Sequence, residues 1–170
     1  NAGLMPKPNC VETVAHRDGV VHLSNLSVAK GLAAVLDVAV RSGIEVRLIG
    51  TVSSEAAAVL DSARSERVPF VSIGPRHGDE KQRELLGARC FLFLSSYQHE
   101  AQPLVLYEAM SAGCVPLVWN AGWVGEQMCR VGLRNYVFPI GDVNGVTAAL
   151  SGIVSMDEET FSELSRRVQT

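Results

Sequence analysis

The sequence predicts an α/β protein, a single doubly wound, Rossmann-like domain with a six-stranded parallel sheet and helices on both faces. Two observations carry this expectation. Short apolar runs alternate six times with helical stretches, as repeated βα units do. The runs are also apolar throughout rather than at every second residue, as strands covered on both faces require.

In chain order, the Asp18-Gly19 turn precedes "VVHLSNL", the first strand. Leu32, Val35, Leu36, Ala39 and Val40 recur at i, i+3, i+4, i+7 and i+8 and mark one helical face, which Ser42-Gly43 ends. "IEVRLIG" is the second strand, "SSEAAAVLDSAR" an alanine-rich helix and "VPFVSIG" the third strand. "DEKQRELLGAR" reads as a helix with acids in its first turn, where they suit the macrodipole. "CFLFLSS" follows as the fourth strand. The second half supplies a helix from about Leu104 to Ala112 closed by Gly113, the strand "CVPLVW", a helical turn near Glu126 and the strand "NYVFPI". Asp142 can cap a helix faced by Val146, Ala149, Leu150, Ile153 and Val154. A last helix starts at Asp157, with Glu158 and Glu159 at its head and Arg166 and Arg167 near its end.

Bulk composition narrows the function classes. Of 170 residues, 47% are hydrophobic and 19% charged, so one domain with a real core is expected and disorder is not. A net charge of −3 gives no footprint for nucleic acid or an anionic membrane. No apolar run has the length of a transmembrane helix, and no secretory signal opens the chain. The start, "NAGLMPKPN", lacks an initiating Met and suits a piece of a longer protein. Cys10, Cys90, Cys114 and Cys129 show no CxxC spacing, so buried thiols in a reducing cytoplasm are favoured over a zinc site. No repeat and no Pro-, Gly- or Ser-rich linker divides the chain.

In doubly wound folds, ligands bind beyond the carboxyl ends of the strands, where strand order reverses. The residues after each strand are polar and Gly-rich: Ser24, Asn25 and Lys30-Gly31; Gly74, Pro75 and Arg76; Ser95, Ser96, Tyr97, His99 and Glu100; Asn120, Gly122 and Glu126. That chemistry suits an anionic small molecule. Neither GxGxxG after the first strand nor GxxxxGK[ST] occurs, which argues against a nicotinamide dehydrogenase or a P-loop hydrolase.

In "HEAQPLVLYEAMSAGCVP", Glu100 and Glu108 frame an apolar helix start. Gln102, Pro103, Leu104 and Val105 stand where the helix begins, and free amides there make an anion site. Glu100 precedes that start and Glu108 lies about one turn in. Both carboxylates can accept bonds from sugar hydroxyls. Spacing alone equally allows a solvated loop acid and a surface helix residue. His99 can touch a ligand or bond to backbone; His77 reads as solvated, and Trp119 and Trp123 as packing residues or part of a binding surface.

This stretch resembles the EX7E motif of retaining, family 4 type glycosyltransferases. The resemblance extends from "HLSNLSVAKG" through "VRLIG", "FVSIG", "ARCFLFLSS" and "NAGWVGE" to "FPIGDVNGVTAALSGI". It implies the GT-B architecture of two Rossmann-like domains facing a cleft. The chain would be the C-terminal, donor-binding half (residues 1–170), without its N-terminal acceptor-binding partner. The implied activity is retaining, hexosyltransferase-like transfer from a nucleotide-diphosphate sugar, in glycan or polysaccharide biosynthesis. The nucleotide sugar is a substrate, and no cofactor or metal is implied. Lys30 matches the lysine that pairs with the diphosphate, while Asn25 stands where relatives often carry an arginine. Glu100 matches the glutamate facing the transferred sugar, and Glu108 the one placed for the ribose. Backbone amides from Ala101 through Gln102, Pro103 and Leu104 to Val105 would hold sugar and phosphate. Gly74, Pro75 and Arg76 lie where the base is expected. Gly122 to Glu126 replaces a G-G-I-P-E pattern, with Trp123 at the second glycine and Gly125 at the proline. Cytoplasmic location is implied, with any membrane association or membrane-linked acceptor coming through the absent half, as is some apolar surface exposed for that partner. A nucleotide-binding module without turnover and a GT-B-like nucleotide-sugar epimerase remain as alternatives.

Overall fold

The computed structural model of the protein describes residues 17–97 and 103–169. Its six strands are β1 (Gly19–Leu23), β2 (Val46–Ile49), β3 (Phe70–Gly74), β4 (Ala88–Phe93), β5 (Val115–Trp119) and β6 (Val137–Phe138). All pair in parallel, in the order β3-β2-β1-β4-β5-β6. The order therefore reverses between β1 and β4. Every residue of β4 and β5 is buried, so these strands are covered on both faces, as their unbroken apolar sequence predicts.

The helices are α1 (Leu32–Ser42), α2 (Ser54–Ser65), α3 (Gly78–Leu86), α4 (Leu104–Ser111), α5 (Val124–Arg130), α6 (Val143–Val154) and α7 (Glu158–Val168). Local signals set several of their ends. Asp142 accepts from the Gly145 amide at 2.9 Å, the cap expected from sequence, and Asp157, where the last helix was expected to start, accepts from the Thr160 amide at 2.9 Å. Gly43 closes α1 in the left-handed conformation, with its amide bonded to Ala39. On α1, Leu32, Val35, Leu36 and Ala39 are buried as expected, whereas Val40 is exposed and Val38 takes a core place. The helix α1 also packs on α6.

Two boundaries differ from the expected ones. The helix read across "DEKQRELLGAR" stops at Leu86, and Ala88 and Arg89 belong to β4. Pairing begins there because the Gly87 carbonyl accepts from the Gly19 amide at 3.1 Å. The strand read across "NYVFPI" contracts to Val137–Phe138, with a 3-10 turn at Arg134–Tyr136 before it. Pro139, having no N–H to donate, follows directly.

At the amino end of the sheet, buried Arg89 holds the C-terminal helices. Its guanidinium donates to the Met156 carbonyl at 2.6 Å and the Arg17 carbonyl at 2.5 Å, pairs with Glu158, and lies 4.6 Å from the Phe161 ring centroid. Cys90 and Cys114 are buried free thiols, and Cys129 is exposed. Burial pushes the Cys114 thiol up to about 12 and the Cys90 thiol higher still, so neither is a nucleophile. Cys10 lies outside the described residues.

Candidate functional site

A cleft of about 460 Å3 opens where the strand order reverses. Leu23, Ser24 and Asn25 from the end of β1 and Phe93 from the end of β4 form its floor. Lys30 lies on one side. Ile49, Gly50 and Thr51 follow β2, and Pro75, Arg76 and His77 follow β3. Lys81 from α3 and Pro103, Leu104 and Val105 at the head of α4 complete the wall. Among the described residues, the lining contains lysine, arginine and histidine but no acid.

The loop after β1 is shaped by close backbone approaches. Gly50 has φ 147, and a Cβ there would meet the Ser24 carbonyl oxygen at 1.7 Å. Ser27 accepts from the Lys30 amide at 3.3 Å, holding a single 3-10 turn at Val28–Lys30. Gly31 follows with φ 85, and its missing Cβ would lie 2.0 Å from the Leu94 carbonyl oxygen. The turn thus lies directly against the end of β4. Lys30 Nζ stands 5.1 Å from the ring centroid of Tyr97, the last described residue of the loop after β4.

Beneath this loop, His22 Nδ1 is 3.0 Å from the Leu92 carbonyl oxygen and Nε2 is 2.9 Å from Ser24 Oγ. A carbonyl only accepts, so Nδ1 carries the proton. Burial lowers the His22 pKa, outweighing the bond to Leu92, and favours the neutral ring. Nε2 then accepts from the Ser24 hydroxyl.

On the opposite side, Gly74 ends β3 with φ 73 and its carbonyl accepts from the Gly50 amide at 3.1 Å. Gly74 does not line the cleft itself; it turns the chain so that Pro75, Arg76 and His77 do. His77 is exposed at the head of α3. Lys81 lies one turn further, with its Nζ 2.6 Å from Glu108 Oε1. Glu108 does not line the cleft, and its carboxylate meets that space through Lys81. At the head of α4, Pro103 takes an extended conformation at the N-cap position. The Leu106 amide bonds the Pro103 carbonyl at 2.9 Å, and Leu104 and Val105, at the positions whose amides a helix start leaves without intrahelical partners, stand at the cleft wall.

The structure therefore brings together Asn25, Lys30, Pro75, Arg76, Pro103, Leu104 and Val105, with Glu108 behind Lys81. His99, Glu100, Ala101 and Gln102 lie outside the described residues. Glu126, which follows β5, pairs instead with Arg130 on its own helix at 2.5 Å. In the same segment, Gly122 has φ 54, and a Cβ on Gly125 would meet Asn120 Oδ1 at 2.0 Å. Trp119 is buried, whereas Trp123 and Leu104 are 60% and 74% exposed at the carboxyl end of the sheet. Sequence reasoning missed His22 and Lys81. One polar residue inside the apolar run "VVHLS" was an available signal, since a buried imidazole needs partners.

Fold and cleft together define a doubly wound, Rossmann-like domain with a cleft at the reversal of strand order. Solved glycosyltransferases share this fold. The catalytic domain of cholesterol-alpha-glucosyltransferase from Helicobacter pylori superimposes with a TM-score of 0.74 at 14% identity, over 89% of this chain and 95% of that one. Anabaena HepE in complex with UDP and glucose matches with a TM-score of 0.74 at 16% identity, over 91% of this chain and 43% of that one. S. aureus TarM matches with a TM-score of 0.74 at 16% identity, over 90% of this chain and 31% of that one. The chain thus spans less than half the length of HepE and TarM, and its fold is that of one Rossmann-like domain of a GT-B glycosyltransferase. No protein-family model and no curated protein matches the sequence. Among the described residues, no helix is long and apolar enough to cross a membrane.

Proposed function

We propose that the chain is the donor-binding, C-terminal half of a retaining glycosyltransferase, which transfers a hexose-type sugar from a nucleotide-diphosphate donor in glycan or polysaccharide biosynthesis. The observation that carries the reading is the cleft at the strand-order reversal, where Lys30, Arg76 and the head of α4 converge with no acid in the described lining. HepE, of the same fold, is solved with UDP and glucose, and also with UDP-glucose.

In this reading Lys30 and the first amides of α4 hold the diphosphate and compensate the charge that builds on it as the sugar departs. Pro75, Arg76 and the segment after β2 face the base. Glu108 serves the ribose hydroxyls. Glu100 faces the transferred sugar and positions it, with attack from the leaving-group side giving retention. The acceptor comes with an N-terminal domain of the same protein, and exposed Leu104 and Trp123 are candidates for the facing surface. Cytoplasmic location belongs to the same proposal, supported by the buried free thiols Cys90 and Cys114.

Calorimetric titration of the chain with UDP, GDP and ADP tests donor binding. Heat from at least one of them is expected, and none from a folded sample overturns the reading. Product analysis on a chain extended by the acceptor domain tests the reaction. Transfer to an acceptor is expected; a changed donor sugar would instead identify an epimerase.

A further inference from the structure

Glu108 lies behind Lys81, which lines the cleft proposed above for an anionic donor. We infer that Lys81 is the charge-compensating residue of the nucleotide site: its ammonium masks Glu108 from the cleft, so that a carboxylate can serve ribose hydroxyls beside a diphosphate. The inference rests on the nucleotide-diphosphate reading above.

Three observations support it. Lys81 lines the cleft and Glu108 does not, so the cation is the member of the pair presented to a ligand. The pair joins two helices, α3 and α4, across 27 residues of sequence at 2.6 Å. By contrast, Arg41–Asp37, Arg64–Asp61 and Arg130–Glu126 each lie within one helix turn. The side chains of Lys81 and Glu108 are also only 26% and 42% exposed, so solvent screens their charges less than it would at an open surface.

The electrostatic consequence has a direction. With Lys81 present, the pair is neutral and the Glu108 carboxylate adds no net negative charge beside the cleft. Without Lys81, the Glu108 carboxylate acts on an anionic ligand directly. A diphosphate feels that change and an uncharged nucleoside does not. The affinity of the diphosphate relative to its nucleoside therefore isolates the role of Lys81 from any contact both ligands share.

The test uses the 170-residue chain with UDP and uridine, or with GDP or ADP and its nucleoside if UDP gives no heat. Calorimetry reads the diphosphate and ligand-observed NMR the nucleoside. Lys81→Met should lower the diphosphate-to-nucleoside affinity ratio by about five- to tenfold, the scale of one uncompensated charge in a partly screened cleft. Lys81→Arg should keep the wild-type ratio. The double variant Lys81→Met with Glu108→Gln should return the ratio toward wild type, because no bare carboxylate remains. Thermal melts confirm that each variant is folded. An unchanged ratio in Lys81→Met overturns the inference, as does a double variant no better than Lys81→Met, which would show the ammonium contacting the phosphates itself. Wild-type chain that binds none of the three diphosphates overturns the donor reading and this inference with it.

Discussion

His22 and Ser24, two residues apart at the end of β1, are bonded side chain to side chain, with the serine hydroxyl donating to Nε2 at 2.9 Å. The other ring nitrogen bonds Leu92 on β4 at 3.0 Å, so one neutral imidazole joins the two strands between which the sheet order reverses.

This arrangement makes stability depend on pH. Burial lowers the His22 pKa in the folded chain below its ordinary value of about 6.5. Below that value the unfolded chain binds a proton that the folded chain does not, so stability falls as pH falls. The His22 contribution is fully present above about pH 6.5 and is lost progressively on acidification until the lowered pKa is reached. Urea melts at pH 8.0 and 5.5 should show a smaller pH dependence in His22→Asn than in wild type. Parallel stability curves for the two proteins would mean that His22 does not titrate differently on folding.

Gly31 and Gly43 provide a matched comparison. Both have positive φ, 85 and 67, but a Cβ on Gly43 meets nothing within 4 Å, whereas one on Gly31 would lie 2.0 Å from a backbone oxygen. Gly43→Ala should cost only the left-handed backbone term, about 1 kcal/mol. Gly31→Ala adds a clash that only backbone movement relieves and should cost about 3 kcal/mol or more. Chemical denaturation of both variants measures the difference. Equal losses would mean that the turn and the end of β4 are not in rigid contact.

The sheet and its helices were legible because their signals are local. The run "CFLFLSS" says that both faces are covered, and Asp142 and Asp157 announce their helices three residues ahead of the amides they cap. That Lys30, Asn25 and the residues after β3 meet at one cleft was legible because doubly wound folds bring strand ends together. The partners of His22, Lys81 and Arg89 were not legible, because they are remote: 70 residues away at Leu92, 27 at Glu108 and 67 at Met156. Lys81 also stands in "DEKQRE", where nearly every residue is charged and periodicity cannot choose the one facing inward.

Lys30 is expected to act on phosphate and not on the base. Lys30→Ala should weaken nucleoside diphosphate binding by about 1–3 kcal/mol, the scale of a charge-assisted hydrogen bond. Nucleoside binding should barely change. Equal loss for both ligands would assign Lys30 to the base or the fold. Asn25 shares the cleft with Lys30, so Asn25→Arg should tighten diphosphate binding by adding a further cation to its lining. Calorimetry on the two variants reads both effects, and weaker binding by Asn25→Arg would put the phosphates elsewhere.

Glu108 and Glu100 are expected to divide the donor between them. Glu108, on α4 and tied to Lys81, is assigned to the ribose. Glu100 is assigned to the transferred sugar. Glu108→Gln should weaken a nucleoside diphosphate and the complete nucleotide sugar together, because both carry the ribose. Glu100→Gln should leave diphosphate affinity nearly intact and act only when the sugar is attached. With the acceptor domain present, Glu100→Gln should lower kcat more than donor affinity, since a contact that strengthens as charge develops on the sugar ring favours the transition state over the ground state. Glu108→Gln should stay folded, because glutamine preserves the size of a side chain that is 42% exposed. The measurement needs affinities for the diphosphate and the nucleotide sugar in wild type and both variants, with a thermal melt for each. If Glu100→Gln weakens the bare diphosphate as much as Glu108→Gln does, the two carboxylates share one task and the division is wrong. If neither variant changes any affinity or rate, neither carboxylate serves the donor and the motif match carries no function.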